Sequence, residues 1–363
     1  MKLEVTQENL ARALSTVSRV AQSKTSLPIL NNILFRADNN QLTLSATNLE
    51  LAITEQIGAK VTKPGTITIP ARLMSDYIQN LPKGVISLEL NGTKLLVQCE
   101  HYRSTMNGVV ADEYPALPEI TDATEFSLPA AVCKRAIQQT IITVSHDETR
   151  PILTGLFLHS HEGALYMAGT DGYRLSERRI LDTTEEISAI VPASTMQDIV
   201  RVMPDGCDDV RMHINDQQVQ FTMDDVTITS RLIDGKYPDY RQLIPPSSET
   251  MFEGAVSEFV RVCKIASLFA RESGGSITIK ADAAAGTVSI HSLASQLGEN
   301  VSEIVASPSS DGTITINSRY IIEALGVIDA ETITFGFSGK LAPCVIRPTT
   351  EDGYTHIIMP LKS

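Results

Sequence analysis

The sequence predicts an α+β protein made of three copies of one unit, each with two helices and antiparallel sheets. Similar segments recur at a fixed spacing, every copy begins with an apolar strand followed by a helical apolar pattern, and alternating strands separated by turn residues fill the rest. Together these three observations make one long core unnecessary for a chain of 363 residues.

Self-comparison gives the period. Pro28-Ile29-Leu30 recurs as Pro151-Ile152-Leu153, Thr47-Asn48-Leu49 answers to Thr170-Asp171-Gly172, and Tyr114-Pro115 to Tyr237-Pro238, each 123 positions on. IPARLMSDYIQNLP from Ile69 resembles VPASTMQDIVRVMP from Val191, and INSRYIIEALGVI from Ile316 continues the pattern. Polar, Pro and Ser residues interrupt the apolar pattern near TDATE and PPSSET, so the expected domains are 1–121, 126–247 and 250–363.

Each unit is expected to open with a strand (LEV, FSL, MFEGAV) and to continue into an amphipathic helix. The apolar stripes are Leu10, Leu14 and Val17; Val132, Ile137 and Ile141; and Phe259, Val262 and Ile265. Strands such as QLTLSA, ALYMAG and TVSIHS follow, then a second helix, then VISLEL, VRMHI and TITFGF, with Asn-Gly, Asp-Gln or Ser-Gly turns between strands. The six helices are read over 6–22, 71–80, 129–145, 194–203, 255–271 and 318–327.

Composition narrows the function. Hydrophobic residues make up 42% and charged residues 20%, as in an ordered globular protein. The first residues lack the apolar core and cleavage site of a signal peptide, and no stretch reaches 18 uninterrupted apolar residues, so a cytoplasmic protein without membrane attachment is expected. Cys99, Cys133, Cys207, Cys263 and Cys344 are odd in number and form no metal-ligand spacing, which fits buried thiols. The absence of Trp argues against a single-strand binder that works by base stacking.

A net charge of -13 speaks against nucleic acid until its distribution is considered. The six helical spans hold ten basic and five acidic residues, whereas the remainder of the chain holds 20 basic and 38 acidic ones. Basic helices on an acidic body suit weak, sequence-independent contact with phosphate.

Chemistry is sparse. No phosphate-binding GxxxxGK[ST], no GxGxxG after a strand, no HExxH and no GxSxG occurs, so neither an enzyme nor a cofactor is expected. His159 and His161 could share a strand face as metal ligands but lack a third partner, and Asp171, beside Gly172, is better explained as a turn residue than as a catalytic carboxylate.

The threefold repeat, LPIL at Leu27 to Leu30, TDGYRL at Thr170 to Leu175, DGKYPDYRQLIP from Asp234 and the terminal IIMPL at Ile357 to Leu361 resemble the bacterial beta sliding clamp family over essentially the whole chain. The resemblance implies the DNA-clamp fold, two chains joined head to tail as a closed ring, and helices lining a hole through which duplex DNA passes. The family tethers a replicative polymerase, the clamp loader, translesion polymerases and mismatch-repair proteins through short extended peptides bearing a glutamine and terminal hydrophobic residues.

Carried over by motif, that peptide pocket would comprise Leu153, Thr170, Gly172, Tyr173, Arg174, Leu175, Pro238, Gln242, Leu243, Asn317, Tyr320, Cys344, Ile357, Met359, Pro360 and Leu361. Gln242 stands where some relatives have Arg, and the chain ends in MPLKS rather than an MPMR type of ending. The resemblance also implies DNA contacts at Lys24, Arg72, His146 and Arg150, with Pro151-Ile152 in place of a tyrosine pair, and dimer contacts at Met106 and Leu268. The rival is an open repeat scaffold that binds partners without encircling DNA.

Overall fold

The computed structural model describes residues 1–21, 27–295 and 298–361. The first repeat contains β1 (Lys2–Thr6), α1 (Gln7–Ala21), β2 (Asn32–Asp38), β3 (Gln41–Thr47), β4 (Leu51–Gly58), β5 (Lys60–Lys63), β6 (Gly65–Pro70), α2 (Ala71–Gln79), β7 (Val85–Asn91), β8 (Lys94–Cys99) and β9 (Tyr102–Asn107). The second contains β10 (Thr124–Pro129), α3 (Ala130–Ile141), β11 (Gly155–His161), β12 (Ala164–Thr170), β13 (Arg174–Asp182), β14 (Ser188–Pro192), α4 (Ala193–Val202), β15 (Asp209–Ile214), β16 (Gln218–Met223) and β17 (Val226–Arg231). The third contains β18 (Thr250–Ala255), α5 (Val256–Phe269), β19 (Ser276–Asp282), β20 (Thr287–Ala294), β21 (Gly298–Val305), β22 (Gly312–Asn317), α6 (Ser318–Gly326), β23 (Thr332–Phe337), β24 (Cys344–Pro348) and β25 (Tyr354–Ile358). Apart from β5, the three repeats match element for element.

Local sequence accounts for these elements. β1 and β18 alternate exposed and buried residues along their length, the period of a strand with one face on a core. In α1 the expected Leu10, Leu14 and Val17 are fully buried. The stripes of the other two long helices are rotated from expectation. In α3 Ile137 is buried with Cys133, Ala136 and Thr140, and in α5 Ile265 is 40% exposed while Phe259, Val262, Cys263 and Ala266 face inward. α3 also stops at Ile141 rather than at 145. The β-branched run from Thr140 to Val144 disfavours further helix, and Thr143 Oγ1 donates instead to Thr140 O at 2.8 Å.

Contacts divide the chain into two compact units. Unit 1 is Met1–Ala130 with Asp198–Leu232, and unit 2 is Ala131–Gln197 with the chain from Ile233 onward. This division cuts the middle repeat because the large sheets are shared between repeats. In unit 1 an eight-stranded sheet has the order β10-β15-β16-β17-β4-β3-β2-β6, and in unit 2 another has the order β14-β11-β12-β13-β25-β24-β23-β18. Each joins four strands of one repeat to four of its neighbour, through β17 against β4 and β13 against β25. Unit 1 also holds the sheet β5-β1-β7-β8-β9, and unit 2 the sheet β21-β20-β19-β22.

Of the cysteines, Cys99, Cys133, Cys263 and Cys344 are buried and Cys207 is partly exposed; all five are free thiols. Among the described residues no helix is long and apolar enough to cross a membrane.

Candidate protein-binding groove

The antiparallel pairing of β13 with β25 sets Arg174 opposite Ile358 and Leu175 opposite Ile357. Leu175 and Ile357 thereby join Leu153, Ala168, Ile190, Tyr237 and Tyr240 in one buried apolar cluster of unit 2, with Ile152, Phe157, Ile233 and Ile244 packed at its edge. The exposed Tyr173 (62%) and Leu243 (47%) stand beside this floor as apolar rim.

The rim turn from Thr170 to Arg174 is held by its own side chains. Thr170 Oγ1 donates to Arg174 O at 2.7 Å and accepts Gly172 N at 3.1 Å. Asp171 Oδ1 accepts Tyr173 N and Arg174 N at 2.8 and 3.1 Å, the turn role expected for it. Gly172 takes φ +93, a conformation that a side chain would strain.

Arg174 is buried, and its guanidinium is paired on two sides. Its Nε meets Asp171 Oδ2 at 3.0 Å, Nη1 pairs with Glu323 of α6, and the guanidinium lies 4.4 Å over the Tyr320 ring. Arg174 and Arg319 together hold the Glu323 carboxyl below the ordinary range, against the opposing effect of burial. Asn317 caps α6, its Oδ1 accepting Arg319 N at 2.9 Å. The chain end is tied down by Met359 N donating to Tyr173 O and Leu361 N to Thr315 O, both at 2.8 Å, so Met359, Pro360 and Leu361 remain partly exposed beside the turn.

Thus Leu153, Thr170, Gly172, Tyr173, Arg174, Leu175, Leu243, Tyr320, Ile357 and Met359 are brought together. Pro238 and Gln242 are exposed on the neighbouring 237–243 segment, where Gln242 Nε2 donates to Asp239 O at 2.9 Å. Cys344 does not line the groove. It is fully enclosed in the other apolar cluster of unit 2, and burial pushes its thiol up to about 12.

Motif reading missed the support beneath the groove. Tyr240 donates to Glu177 and lies 2.6 Å from His159 Nε2, while Arg241 reaches Glu177 Oε2 at 3.0 Å and covers the Tyr166 ring at 4.2 Å. Burial lowers the His159 pKa to about 4, so the ring is neutral at physiological pH. The His159/His161 pair is therefore built into an aromatic stack, with His159 4.6 Å from Phe157, and no metal-ligand group occurs among the described residues. A buried Tyr and a Glu spaced far apart in sequence gave no local signal.

The positions expected at DNA and at the dimer contact separate. Lys24 lies outside the described residues. Arg72 is highly exposed on α2, 3.8 Å from Asp76, and His146 is exposed in the loop after α3. Arg150 is exposed as well, with Nε 2.9 Å from Asp147 and Nη1 3.4 Å from Asp171 O, so it also touches the groove turn. Arg135, one of the basic helix residues, is enclosed by Asp329 and Glu351 and offers phosphate little. Met106 corrects the expectation: its side chain is buried within its own unit, and Tyr102, Arg103, Thr105 and Asn107 are the exposed residues of β9. Leu268 is 52% exposed on α5.

Repeated sheets carrying an apolar floor with a polar, hydrogen-bonded rim define a docking scaffold. Three family models match in succession: DNA polymerase III beta subunit, N-terminal domain over residues 1–118, central domain over 127–239 and C-terminal domain over 241–362. The beta sliding clamp of Bacillus subtilis (strain 168) is 29% identical over 377 residues, and that of Staphylococcus aureus (strain Mu50 / ATCC 700699) is 28% identical over 376, each covering 100% of both chains. The crystal structure of the DNA polymerase sliding clamp from Bacillus subtilis, at 28% identity, superposes with a TM-score of 0.95 over 100% of this chain and 99% of that one. The chain belongs to the DNA polymerase III beta subunit family, the beta sliding clamps.

Proposed function

We propose that two copies of this chain close head to tail into a ring around duplex DNA in the cytoplasm and, without chemistry of their own, tether DNA enzymes to it. The observation that carries this reading is a pair of open sheet edges. Within the chain, β17 pairs with β4 and β25 with β13. By repeat, β9 corresponds to β17 and β25, and β21 to β4 and β13, yet β9 and β21 lie at the edges of their sheets. An unpaired edge is a liability that a second chain removes. Exposed Arg103 on β9 and Glu299 and Glu303 on β21 complement one another, and Val301, Val305 and Leu268 supply apolar area.

Closure makes retention topological, so the overall acidity of the chain is no obstacle. Arg72, with Lys24, His146 and Arg150, supplies weak phosphate contacts. The unit 2 groove receives the replicative polymerase, clamp loader, translesion polymerases and mismatch-repair proteins through extended peptides. The open-scaffold alternative leaves both edges unpaired and is not favoured by the family.

The test is retention of the loaded protein on circular duplex DNA and its loss on linearisation, alongside sedimentation. Equal retention on circular and linear DNA, or a monomer at micromolar concentration, overturns the ring.

A further inference from the structure

Unit 1 contains the frame of the groove a second time. Thr47 Oγ1 donates to Leu51 O and accepts Leu49 N, both at 3.0 Å. Asn48 Oδ1 accepts Glu50 N at 3.0 Å and Leu51 N at 2.8 Å, and Arg231 N donates to Glu50 O at 2.9 Å. Every one of these bonds has its counterpart in unit 2, made there by Thr170, Asp171 and Met359. Leu49 even adopts φ +79 where Gly172 has +93, a backbone conformation unfavourable for leucine.

Beside this turn is a cavity of about 290 Å³, lined among others by Thr47, Leu49, Pro118, Gln218, Thr229 and Arg231. Its chemistry differs from that of the groove. The register that pairs Ser230 with Leu51 and Thr229 with Ala52 puts Thr229 and Ala52 where unit 2 has Ile357 and Leu175. A small floor carrying one hydroxyl replaces a large apolar one. Gln218 lines the cavity with a partly buried amide whose Oε1 is enclosed and, among the described residues, has no hydrogen-bond partner. Arg231, 61% exposed, and Glu50, 70% exposed, both line the cavity, and their side chains are 3.7 Å apart, a weak surface pair.

We infer that this cavity is a second docking site, for a short extended peptide that presents an amide side chain to Gln218 and a carboxylate to Arg231. The inference rests on the peptide reading of the unit 2 groove for the binding mode, and on Gln218, Thr229 and Arg231 for the ligand chemistry. Large apolar anchors belong to unit 2, and polar acidic segments to unit 1.

The experiment uses the full chain, methyl-labelled at Leu, Ile and Thr, and two probes: acetyl-Ser-Gln-Asp-Ser-amide and acetyl-Gln-Leu-Ser-Leu-Phe-amide. The acidic peptide is expected to shift the Thr47, Leu49 and Thr229 methyls saturably, and Gln218→Leu and Arg231→Ala are each expected to weaken that binding at least tenfold. Arg231→Ala alters only an exposed side chain, so it serves if Gln218→Leu folds poorly. The apolar peptide is expected to shift Leu153 and Ile357 equally in wild type and variants. Shifts at Thr229 without any at Leu153 or Ile357 would sink the unit 2 reading and leave this one standing. No saturable shift at Thr47 or Thr229, or undiminished shifts in Arg231→Ala, overturns the second site.

Discussion

Arg174 sits 4.4 Å over the Tyr320 ring while its Nε and Nη1 pair with Asp171 and Glu323, so a single guanidinium joins the rim turn to α6. Arg174→Lys keeps the charge but not the fork or the stacking. It is expected to cost about 2 kcal/mol of unit 2 stability, and Arg174→Ala more, because two carboxylates lose their partner in a partly buried site. Urea unfolding of both variants checks the order; a lysine variant as stable as wild type would remove the guanidinium from this role.

The chain end is expected to matter for partners and not for assembly. A truncated groove anchor typically costs about 2 kcal/mol, so Met359→Ala, or deletion of the last five residues, is expected to weaken peptide binding roughly thirtyfold. Fluorescence anisotropy reads the affinity and sedimentation the assembly. Unchanged affinity would place the partner site elsewhere.

His159 and His356 give stability a defined pH dependence. Burial lowers their folded pKa values to about 4 and about 3, below the ordinary 6.5. Between those values and 6.5 the unfolded chain binds more protons than the folded one, so stability falls as pH drops through that window. Each histidine contributes a slope of up to about 1.4 kcal/mol per pH unit. Urea midpoints from pH 7 to 4.5 are expected to fall, and to fall less steeply in His159→Gln; an identical slope in the variant would mean that His159 titrates normally.

Glu351 collects Arg135, Arg178 and Gln139, at 3.0, 2.8 and 3.1 Å, and its folded carboxyl stays below the ordinary range despite burial. Its stabilisation is present above pH 4.5 and lost as pH falls through the lowered folded value. Glu351→Gln is expected to cost about 2 kcal/mol at pH 7 by leaving two arginines underpaired. A thermal shift of under a degree would show that water replaces the carboxylate adequately.

At the proposed ring contact, Leu268→Asp is expected to convert the dimer to monomer at micromolar concentration, since a buried unpaired charge there costs several kcal/mol. Charge reversal at Arg72 is expected to reduce loading while leaving the dimer intact. Sedimentation and loading assays separate the two effects.

Much of this was legible in the sequence because it is local. Offsets in PIL, TNL/TDG and YP marked the repeats, and the Thr-Asx pair in each turn proved to be hydrogen bonding of the rim itself. What required coordinates was pairing across distance. Nothing near Val226 says that it faces Glu55, and nothing near Tyr240 says that it meets Glu177. Side-chain direction was also hidden: Met106 and Cys344, expected at contact sites, point into cores, and Arg135 is helical and basic yet held by Glu351.

The sharing of each eight-stranded sheet between adjacent repeats bears on recombination. A chimera that exchanges the middle repeat whole, cut near 122 and 248, must re-form both β17 against β4 and β13 against β25 from foreign halves. One that exchanges 131–197 together with everything after Ile233 keeps both seams native. The modules that can be traded between relatives are therefore units of shared sheet, not units of repeated sequence, and inheritance by triplication has left seams that a later exchange can respect only by cutting inside a repeat.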